Sequence, residues 1–364
     1  MITKIAKTVF FTAGISSMLM SCSKQKDVQP AATSTIATPN AQVKLVNGRL
    51  VFDDLAALNQ TEDALIKSGN SQAGVQALAD WEKNLRFTSL RTAANSENSH
   101  LEELETQGVP TPAHDLMYKF GFPFSYASLI NPAGEYQVGG KIYWFHDGIK
   151  YQANSEEELA AIKKDPAVAK VKLSAGYKTI KTLKGMPIGE TNRTIASDDP
   201  HSDGKYLREF YLNNDLGSRR RIIYDISVFT DDRGTDASGY YHFWRTSLNL
   251  QLKHEYYSNG RGGWYPADGQ TFLWKTDLSY DATPSIPYQN PPLAGTQRGT
   301  ANYQNSYSSG AAILTLASQD LTTSTVDPYL NQGQIKWDFE ISGSIEGYNS
   351  VDYNNRYVVS GLLW

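Results

Sequence analysis

The sequence predicts an α+β protein, with N-terminal helices and small β-hairpins followed by a C-terminal antiparallel β-sandwich or small barrel. Apolar residues recur at helical spacing between residues 53 and 106, whereas from Lys205 onward apolar and polar residues alternate as along half-buried strands. Aromatic residues, which favour strands, are unevenly placed, and all but five lie after His114. The 364 residues, 40% of them hydrophobic, are enough for two packed domains.

The first 21 residues have the composition of a bacterial secretion signal. Lys4 and Lys7 supply a positive start, and a mostly apolar run follows from Val9 to Met20. That run is about a dozen residues long, which is too short to cross ~30 Å of hydrocarbon as a helix. We therefore expect residues 1–21 to be a cleaved signal peptide and not a membrane span.

Cys22 directly follows this segment and is the only cysteine in the sequence. Leu19, Ser21 and Cys22 resemble the processing motif of bacterial lipoproteins, in which Leu lies three residues before the cysteine and a small residue lies just before it. The resemblance implies that Cys22 becomes the first mature residue and carries a diacylglyceryl thioether and an acylated amino terminus. The membrane is then the first expected partner, since each buried CH₂ adds about 0.8 kcal/mol to the anchor.

Residues 22–40 are predicted to be a flexible tether, because they contain almost no large apolar residue that could be buried. Within this stretch, Ser23 to Asp27 resembles the surface-export signal of lipoproteins in Bacteroidota, with lysine followed by an acidic residue. The two resemblances together imply an outer-membrane lipoprotein of the cell envelope. Whether it faces the periplasm or the cell surface stays open.

Residues 41–174 are predicted to form an α+β domain. Val43 to Phe52 fits a hairpin around Asn47-Gly48, because these residues suit the positive-φ positions of a type I′ turn. The remaining elements follow from caps and periodicity. They are helices over residues 53–67, 71–85 and 99–106, a hairpin over residues 135–151, and a helix from the Ser155–Glu158 capping box to Lys164.

The order of these elements also carries a resemblance. Gly48-Arg-Leu-Val-Phe52, a later Gly-Lys-Ile-Tyr-Trp hairpin and a capped, Glu-rich helix resemble uncharacterised envelope lipoproteins of Bacteroidota. The likeness covers residues 43–170. It implies the same location and transfers no catalytic residue.

Residues 175–204 are predicted to be a linker, and residues 205–364 an antiparallel β-domain. Alternation is clearest over residues 221–229, 244–252 and 335–341, where each segment has one apolar and one polar side. This pattern is typical of a sheet with one face in water. Turn residues at Asp231–Gly234 and Ser258–Gly263 are expected to separate strands.

No motif for catalysis stands out, and we expect no cofactor and no metal. Asp198 to Gly204 is dense in oxygen ligands, but it lacks the ligand order of a calcium loop and fits a solvated linker better. His242 and His254 lack a third local ligand for zinc and are interpreted as surface histidines of strands. Glycosidase carboxylates need only meet in space, so none is singled out. The candidates are Asp225, Glu255, Asp338, Glu340 and Glu346.

Aromatic residues beside turns are the candidates for ligand binding. Tyr256, Tyr257, Trp264 and Tyr265 flank one predicted turn, and Tyr240-Tyr241 flanks another. Aromatic faces beside polar loops can stack on sugar rings or anchor a protein partner. The alternative interpretation is that these side chains cap the core at strand ends.

The charge of the chain excludes one class of partner. Its formal net charge is -4, and it becomes -6 when Lys4 and Lys7 leave with the signal. Nucleic-acid binding needs a basic surface, so no nucleic-acid partner is expected. The sequence favours a binding or structural role with a glycan or protein ligand. The alternative is a secreted hydrolase for glycan or peptide substrates, whose carboxylates come together only on folding.

Overall fold

The computed structural model describes residues 43–69, 72–109, 122–179, 206–211, 219–260, 262–266, 272–285, 295–307, 311–324, 335–349 and 352–363. The predicted signal peptide, Cys22 and the tether lie outside the described residues. The cluster of oxygen ligands at residues 198–204 lies outside them as well. The interpretations of these segments stay predictions.

The helices of the described part are α1 (Leu55–Gly69), α2 (Gln72–Leu85), α3 (Leu90–Thr106), α4 (Phe124–Ala127) and α5 (Glu156–Lys164). Helix α3 begins at Leu90, well before the expected residue 99. The apolar pattern did not mark this start, because polar side chains occupy part of the buried side of the helix. Among them, Arg91 contacts Glu82 of α2 at 2.7 Å. No helix among the described residues is both long and apolar enough to cross a bilayer.

The strands of the described part belong to two sheets. Those of the larger sheet are β1 (Lys44–Val46), β2 (Arg49–Phe52), β3 (Glu135–Val138), β4 (Lys141–His146), β5 (Ile149–Ala153), β6 (Val171–Thr179), β7 (Tyr206–Tyr211), β8 (Arg219–Thr235), β9 (Tyr241–Ser258), β10 (Gly263–Pro266) and β13 (Ala311–Ser324). Those of the smaller sheet are β11 (Phe272–Ser285), β12 (Gln297–Tyr307), β14 (Lys336–Asn349) and β15 (Asp352–Leu362).

Local signals in the first half are confirmed. Strands β1 and β2 form the expected hairpin, with Asn47 at φ 50° and Gly48 at φ 76°. Ser155 caps α5, since its hydroxyl accepts a hydrogen bond from the backbone N–H of Glu158 at 3.2 Å. Both signals arise from residues that are close in sequence, so they can be recognised without knowledge of tertiary contacts.

The larger sheet joins the two halves of the chain. Its order is β1-β2-β3-β4-β5-β6-β8-β9-β10, with β7 beside β8 and β13 beside β9. Strand β6 pairs with β5 through Val171 to Ser174 and with β8 through Ala175 to Thr179. The segment 175–179, predicted to begin a linker, is therefore a strand. The rest of that segment lies outside the described residues, and the division into two domains stays a prediction.

The smaller sheet packs against β8, β9 and β13 across a common hydrophobic core. Ile222, Ile226, Leu248 and Leu250 of the larger sheet belong to the same buried cluster as Ile341 of the smaller one. The predicted α+β class is confirmed, with helices first and mostly antiparallel sheets after them. The described strands form two open sheets and no closed barrel. Of the two predicted architectures, a β-sandwich or a small barrel, they therefore fit the sandwich.

A second core lies under the helices. It joins Leu58 and Leu65 of α1 to Phe52 of β2, Tyr126 of α4 and Phe229 of β8. Phe229 reaches this core because it lies on the opposite side of β8 from Ile226 and Val228. Strand β8 thus has apolar residues on both faces, with one core on each side.

The expectation of a polar face in water is wrong for the centre of this sheet. Asp225 and Ser227 on β8 are each 2% exposed, and Asn249 on β9 is fully buried. Polar side chains bond to one another along this face, with Gln251 donating to Ser227 at 3.0 Å and Thr315 donating to Asn249 at 2.7 Å. Such hydrogen bonds offset the cost of burying these groups.

Candidate functional site

A cavity of about 230 Å³ lies between α1, the β3–β4 hairpin and the adjoining ends of β8 and β9. Asp54, Leu55 and Leu58 line its helical side. The side chain of Asp54 caps α1 by accepting a hydrogen bond from the N–H of Ala57 at 2.8 Å. The cap fixes where α1 starts, and this places the two leucines against the cavity.

The β3–β4 hairpin forms an aromatic wall. Tyr136 and Tyr143 are cross-strand partners, and their rings stack with centroids 5.0 Å apart. Both tyrosines line the cavity together with Val138 and Lys141. The turn between the strands passes through Gly139 at φ 54° and its neighbour at φ 82°, a backbone region that glycine adopts without strain. This tight turn keeps both tyrosines on the same side of the hairpin.

Arg233 lines the cavity and lies in a β-bulge. Strand β8 pairs Asp232 with Trp244 and Gly234 with Phe243, so Arg233 is the extra residue. Bulges re-aim side chains and are frequent beside functional sites. The expected turn at Asp231–Gly234 is therefore wrong, since β8 continues to Thr235. Gly234, at φ 86°, allows the bulge.

The guanidinium group of Arg233 is 2% exposed and is held by two carboxylates. Its Nη2 donates to Oε2 of Glu62 at 2.6 Å, and its Nε lies 2.6 Å from Oδ2 of Asp231. Its Nη1 is buried and has no hydrogen-bond partner among the described residues. An unmade hydrogen bond of a buried charged donor is costly. Because Nη1 has almost no accessible surface, this donor is enclosed by the protein and is not presented to a molecule in the cavity.

Further charges extend this network away from the cavity. The ammonium group of Lys150, fully buried on β5, contacts the carboxylate of Asp231. Arg245 on β9 lies 3.1 Å from Glu62 and 3.0 Å from Asp320, and it also contacts Asp63. Lys150, Arg233 and Arg245 thus each contact at least one carboxylate, which is the condition under which charges can be buried.

Burial and these charges shift several pKa values. Burial, and then the carboxylate of Asp231, raises the pKa of Tyr143 to about 12. The same two causes raise the pKa values of Tyr126 and Tyr136. Burial lowers the pKa of Lys150, with Asp231 acting in the opposite direction. Burial also disfavours the charged form of Arg233, but Asp231 and Glu62 outweigh it and raise its pKa.

The chemistry available in the cavity is mainly hydrogen-bond donation. At neutral pH Tyr143 keeps its proton, Arg233 keeps its charge, and Lys141 lies exposed at the rim. Within the described part of the chain, Asp54 is the one carboxylate that lines the cavity. Among the described residues the shifted carboxyl pKa values are all lowered, for Glu156, Glu157, Glu158 and Asp236, and hydrogen bonds are the first cause of each. Within the same part of the chain, no three His, Cys, Asp or Glu residues are grouped as metal ligands.

The predicted aromatic site is only partly assembled. Tyr257 of β9 and Trp264 of β10 are cross-strand partners, and their rings meet edge to face at 5.4 Å. Tyr256 is instead 5% exposed, with the guanidinium of Arg220 over its ring at 5.2 Å. The backbone of Tyr265 pairs with that of Tyr256. Of the four candidates, Tyr257 and Trp264 form a half-buried pair.

Arginine side chains already occupy part of this aromatic pair. The guanidinium of Arg219 lies 5.1 Å from the ring centroid of Tyr257 and 5.3 Å from that of Trp264. Arg221 lies 4.5 Å from the centroid of Trp264 and bonds to Glu255 at 2.6 Å. These cation–π contacts use aromatic faces that a sugar ring would need. The second aromatic pair, Tyr240 and Tyr241, is exposed at the β8–β9 turn.

The histidines and carboxylates differ from expectation. The interpretation of His254 as a surface residue is wrong, because its side chain is fully buried on β9. Burial, and then the charge of Arg220, lowers the pKa of His254 well below its usual 6.5. His242 is half-buried and lies 2.5 Å from Asp232.

Two of the five candidate carboxylates are buried, and each contacts a cation. Asp225 accepts from Lys253 at 2.9 Å, and Glu255 accepts from Arg221 at 2.6 Å. Asp338 and Glu340 lie exposed on β14, and Glu346 is half-buried there. The strand register therefore places a cation beside Asp225 and beside Glu255. These contacts give both buried carboxylates a structural role.

Sequence reasoning missed Arg233 and its partner Glu62. A signal for the first existed, since an isolated glycine within a strand pattern suggests a bulge, and Gly234 follows Arg233 directly. Glu62 lies on the buried side of α1 with Leu58 and Leu65, but nothing local identifies an arginine 171 residues away as its partner.

Comparison of the sequence with models of protein families gives no match, and comparison with curated proteins gives no match either.

Proposed function

We propose that the chain is a lipid-anchored protein of the bacterial cell envelope, and that it binds a glycan or protein ligand and does not catalyse a reaction. The support for the anchor is Leu19, Ser21 and Cys22, which resemble the processing motif of bacterial lipoproteins. The tether at residues 22–40 would hold the folded part away from the bilayer. On this proposal the outer membrane is the partner through Cys22.

One structural observation supports binding over catalysis. Among the described residues, the cavity lining has hydrogen-bond donors on Tyr143 and Lys141 and one carboxylate, on Asp54. Glycoside hydrolysis by the usual route needs two carboxylates about 5–9.5 Å apart on either side of a bond. The cavity instead combines apolar walls with a few polar groups, which is typical of a binding pocket.

Fatty-acid labelling tests the anchor. Cells that produce the full chain are grown with radiolabelled palmitate, and we expect label in the wild type and none in Cys22→Ala. Ser23→Ala is the matched control, since it changes a neighbouring small residue and keeps the thiol. Label in Cys22→Ala, or an unlabelled wild type that still carries residues 1–21, would contradict the proposal.

Glycan-array binding tests the aromatic pair as part of the ligand surface. Arg219 and Arg221 cover part of the pair, but Tyr257 and Trp264 are only half-buried. We expect their remaining exposed surface to contact the ligand, so Tyr257→Ala and Trp264→Ala should weaken binding of the full chain. Tyr240→Ala is the control for an exposed tyrosine at another turn. If both variants unfold at the wild-type temperature and bind the array unchanged, the aromatic pair has no role in recognition.

A further inference from the structure

We propose that Lys150 and Asp231 form a self-modification site, at which Nζ of the lysine and Cγ of the aspartate condense into an intramolecular amide (isopeptide) bond. The bond joins β5 to β8, between residues 81 positions apart in sequence. The reaction takes place once within each chain and uses no external substrate. It therefore goes beyond the proposed binding function and does not depend on it.

The sheet places the two side chains on one face, on either side of β6. Lys150 pairs with Leu173 of β6, and Asp231 pairs with Ala175 of the same strand. Positions two apart along a strand share a face of the sheet, so Lys150 and Asp231 lie on the same face. The long lysine side chain spans the intervening strand, and its ammonium group contacts Oδ1 of Asp231.

This contact holds the lysine nitrogen beside the carbon that it attacks. Because Oδ1 is bonded directly to Cγ, a nitrogen in contact with Oδ1 is within about 4 Å of Cγ, close to the ~3–3.5 Å of a near-attack geometry. The backbone carbonyl of Asp232 also accepts a hydrogen bond from Nζ and limits its movement. Two groups held in this way react at an effective concentration of up to about 10⁵–10⁸ M.

The surroundings of the pair exclude water. The side chains of Lys150 and Asp231 are both fully buried. The ring centroids of Tyr143 and Phe145 lie 5.3 and 5.9 Å from Nζ. Burial lowers the pKa of Lys150, although the carboxylate of Asp231 acts in the opposite direction, and a lower pKa favours the neutral amine that a nucleophile requires. Because water is excluded, the amide is protected from hydrolysis once it has formed.

Burial also favours the product of the reaction. In water, solvation stabilises a free ammonium and a free carboxylate and thereby opposes their condensation. In a buried site this solvation is lost, and the attraction within an ion pair often fails to offset the loss. Condensation replaces the two charges of Lys150 and Asp231 by one neutral amide, whose oxygen can keep Arg233 as its partner.

Arg233 stabilises the charge that develops during the reaction. Its Nε lies 2.6 Å from Oδ2 of Asp231, the oxygen that becomes negative when the amine attacks Cγ. Lys150 first transfers a proton from Nζ to Oδ1, which gives an amine and a carboxylic acid. The Nζ–Cγ bond then forms, the Cγ–Oδ1 bond breaks, and Oδ1 leaves as water with a second proton from Nζ. The third proton stays on the amide nitrogen, so no further reactant is required.

A second lysine–aspartate pair provides an internal comparison. Lys253 donates to Asp225 at 2.9 Å, but the lysine side chain is 15% exposed. Burial disfavours the charge of Lys253, yet the carboxylates of Asp225 and Glu255 outweigh burial and raise its pKa. Lys253 therefore keeps its proton and is a poor nucleophile, and we expect no amide bond at this pair.

Peptide mass spectrometry of the full chain tests the proposal. Protein purified from cells is denatured and digested with trypsin, which does not cleave after an acylated lysine. We expect residues 142–163 to remain uncut at Lys150 and to be joined to residues 222–233. The mass of the joined product should be lower than the sum of the two peptides by the mass of one water molecule. Fragmentation should place the link at Asp231 and not at another aspartate of that peptide.

Lys150→Arg and Lys172→Arg are the matched variants. Arginine keeps the positive charge at position 150, but its guanidinium group is always protonated and cannot supply a neutral amine. We therefore expect the linked peptide to be lost in Lys150→Arg. Lys172 is exposed on β6, outside the site, so Lys172→Arg should carry the same link as the wild type. Should Lys150→Arg fail to fold, the wild-type peptides still decide the question by themselves.

Three outcomes would overturn the proposal. Free wild-type peptides 142–150, 151–163 and 222–233 would mean that the contact is only a buried ion pair. Loss of water from peptide 222–233 by itself would indicate a cyclic imide at an aspartate instead of a link. A linked peptide that persists in Lys150→Arg would assign the bond to another lysine. None of these outcomes bears on Cys22 or on ligand binding, so the proposed function would stand.

Discussion

Glu62 on α1 and Arg233 on β8 are 171 residues apart in sequence, and their side chains meet in a buried hydrogen bond of 2.6 Å. The bond joins the helical layer to the central sheet. Because Glu62 also lies 3.1 Å from Arg245, one carboxylate compensates two buried guanidinium groups. Its removal leaves Arg233 with Asp231 alone, which Lys150 also contacts, and leaves Arg245 with two half-exposed carboxylates.

Glu62→Gln is therefore expected to lower the free energy of unfolding by about 3–5 kcal/mol, the usual cost of removing one member of a buried ion pair. The matched control is Asp53→Asn in the pair with Lys44, whose side chains are 60% and 65% exposed. An exposed pair contributes about 0–1 kcal/mol. Urea unfolding of both variants measures the difference, and equal losses would contradict the role of burial.

Gly343 on β14 and Gly361 on β15 face each other in register and give a second test. Both have positive φ, at 125° and 111°. A Cβ at Gly343 would lie 2.0 Å from the carbonyl oxygen of Asp277, whereas a Cβ at Gly361 would meet nothing within 4 Å. We expect Gly361→Ala to cost about 1–2 kcal/mol of backbone strain.

Gly343→Ala should cost clearly more than Gly361→Ala, at least about 3 kcal/mol, because the backbone of β11 must move away. Thermal unfolding of the two variants compares them directly. The strain in φ is common to both positions, so any difference between them comes from the Cβ contact at Gly343. Equal falls in the melting temperature would therefore contradict the prediction.

His254 should make stability depend on pH. Its folded pKa lies well below 6.5 because of burial and Arg220, so below pH 6.5 the unfolded chain binds a proton that the folded chain does not. The contribution of neutral His254 to the free energy of unfolding is thus complete above pH 6.5. It is lost as the pH falls, with a slope of up to about 1.4 kcal/mol per pH unit. We expect His254→Leu to flatten the dependence just below pH 6.5.

The control for this titration is His100→Gln at an exposed position of α3, which should keep the wild-type slope. Urea midpoints over the same pH range provide the readout. A wild-type slope in His254→Leu would show that its burial does not control the acid limb.

Tyr143 should make stability depend on pH in the alkaline range. Its pKa rises from 10.0 to about 12 on folding, so above pH 10 the unfolded chain releases a proton that the folded chain retains. The contribution of protonated Tyr143 to the free energy of unfolding is complete below pH 10. About 2–3 kcal/mol of it is lost as the pH rises toward 12. Stability of Tyr143→Phe should therefore fall less steeply above pH 10 than that of the wild type, while Tyr240→Phe, at an exposed turn, should follow the wild type.

The cap of α5 gives a local prediction. Ser155→Ala removes the acceptor for the N–H of Glu158 and should cost about 1 kcal/mol. Ser155→Asp retains an acceptor at the same place and should stay close to the wild type. Equal destabilisation of the two variants in thermal unfolding would mean that another property of Ser155 is responsible.

Much of the fold could be predicted because its signals are local. The Asn47-Gly48 turn, the capping box of α5 and the apolar side of β8 at Ile222 and Ile226 each depend on residues a few positions apart. The α+β class follows from the sum of such signals. Where polar residues lie on a buried side, as Arg91 does in α3, the same reasoning misplaced the start of the helix.

The sequence alone determined the order of the elements, the resemblance at Cys22 and which residues of most strands face a common side, since all of these depend on spacing along the chain. The tertiary structure decided the rest. It decided that Arg233 is the extra residue of a bulge, that it meets Glu62 and Asp231, and that Tyr257 pairs with Trp264 while Tyr256 is buried. The physical reason is that compensation of a buried charge requires contact in space, and sequence distance places no limit on which residues supply it.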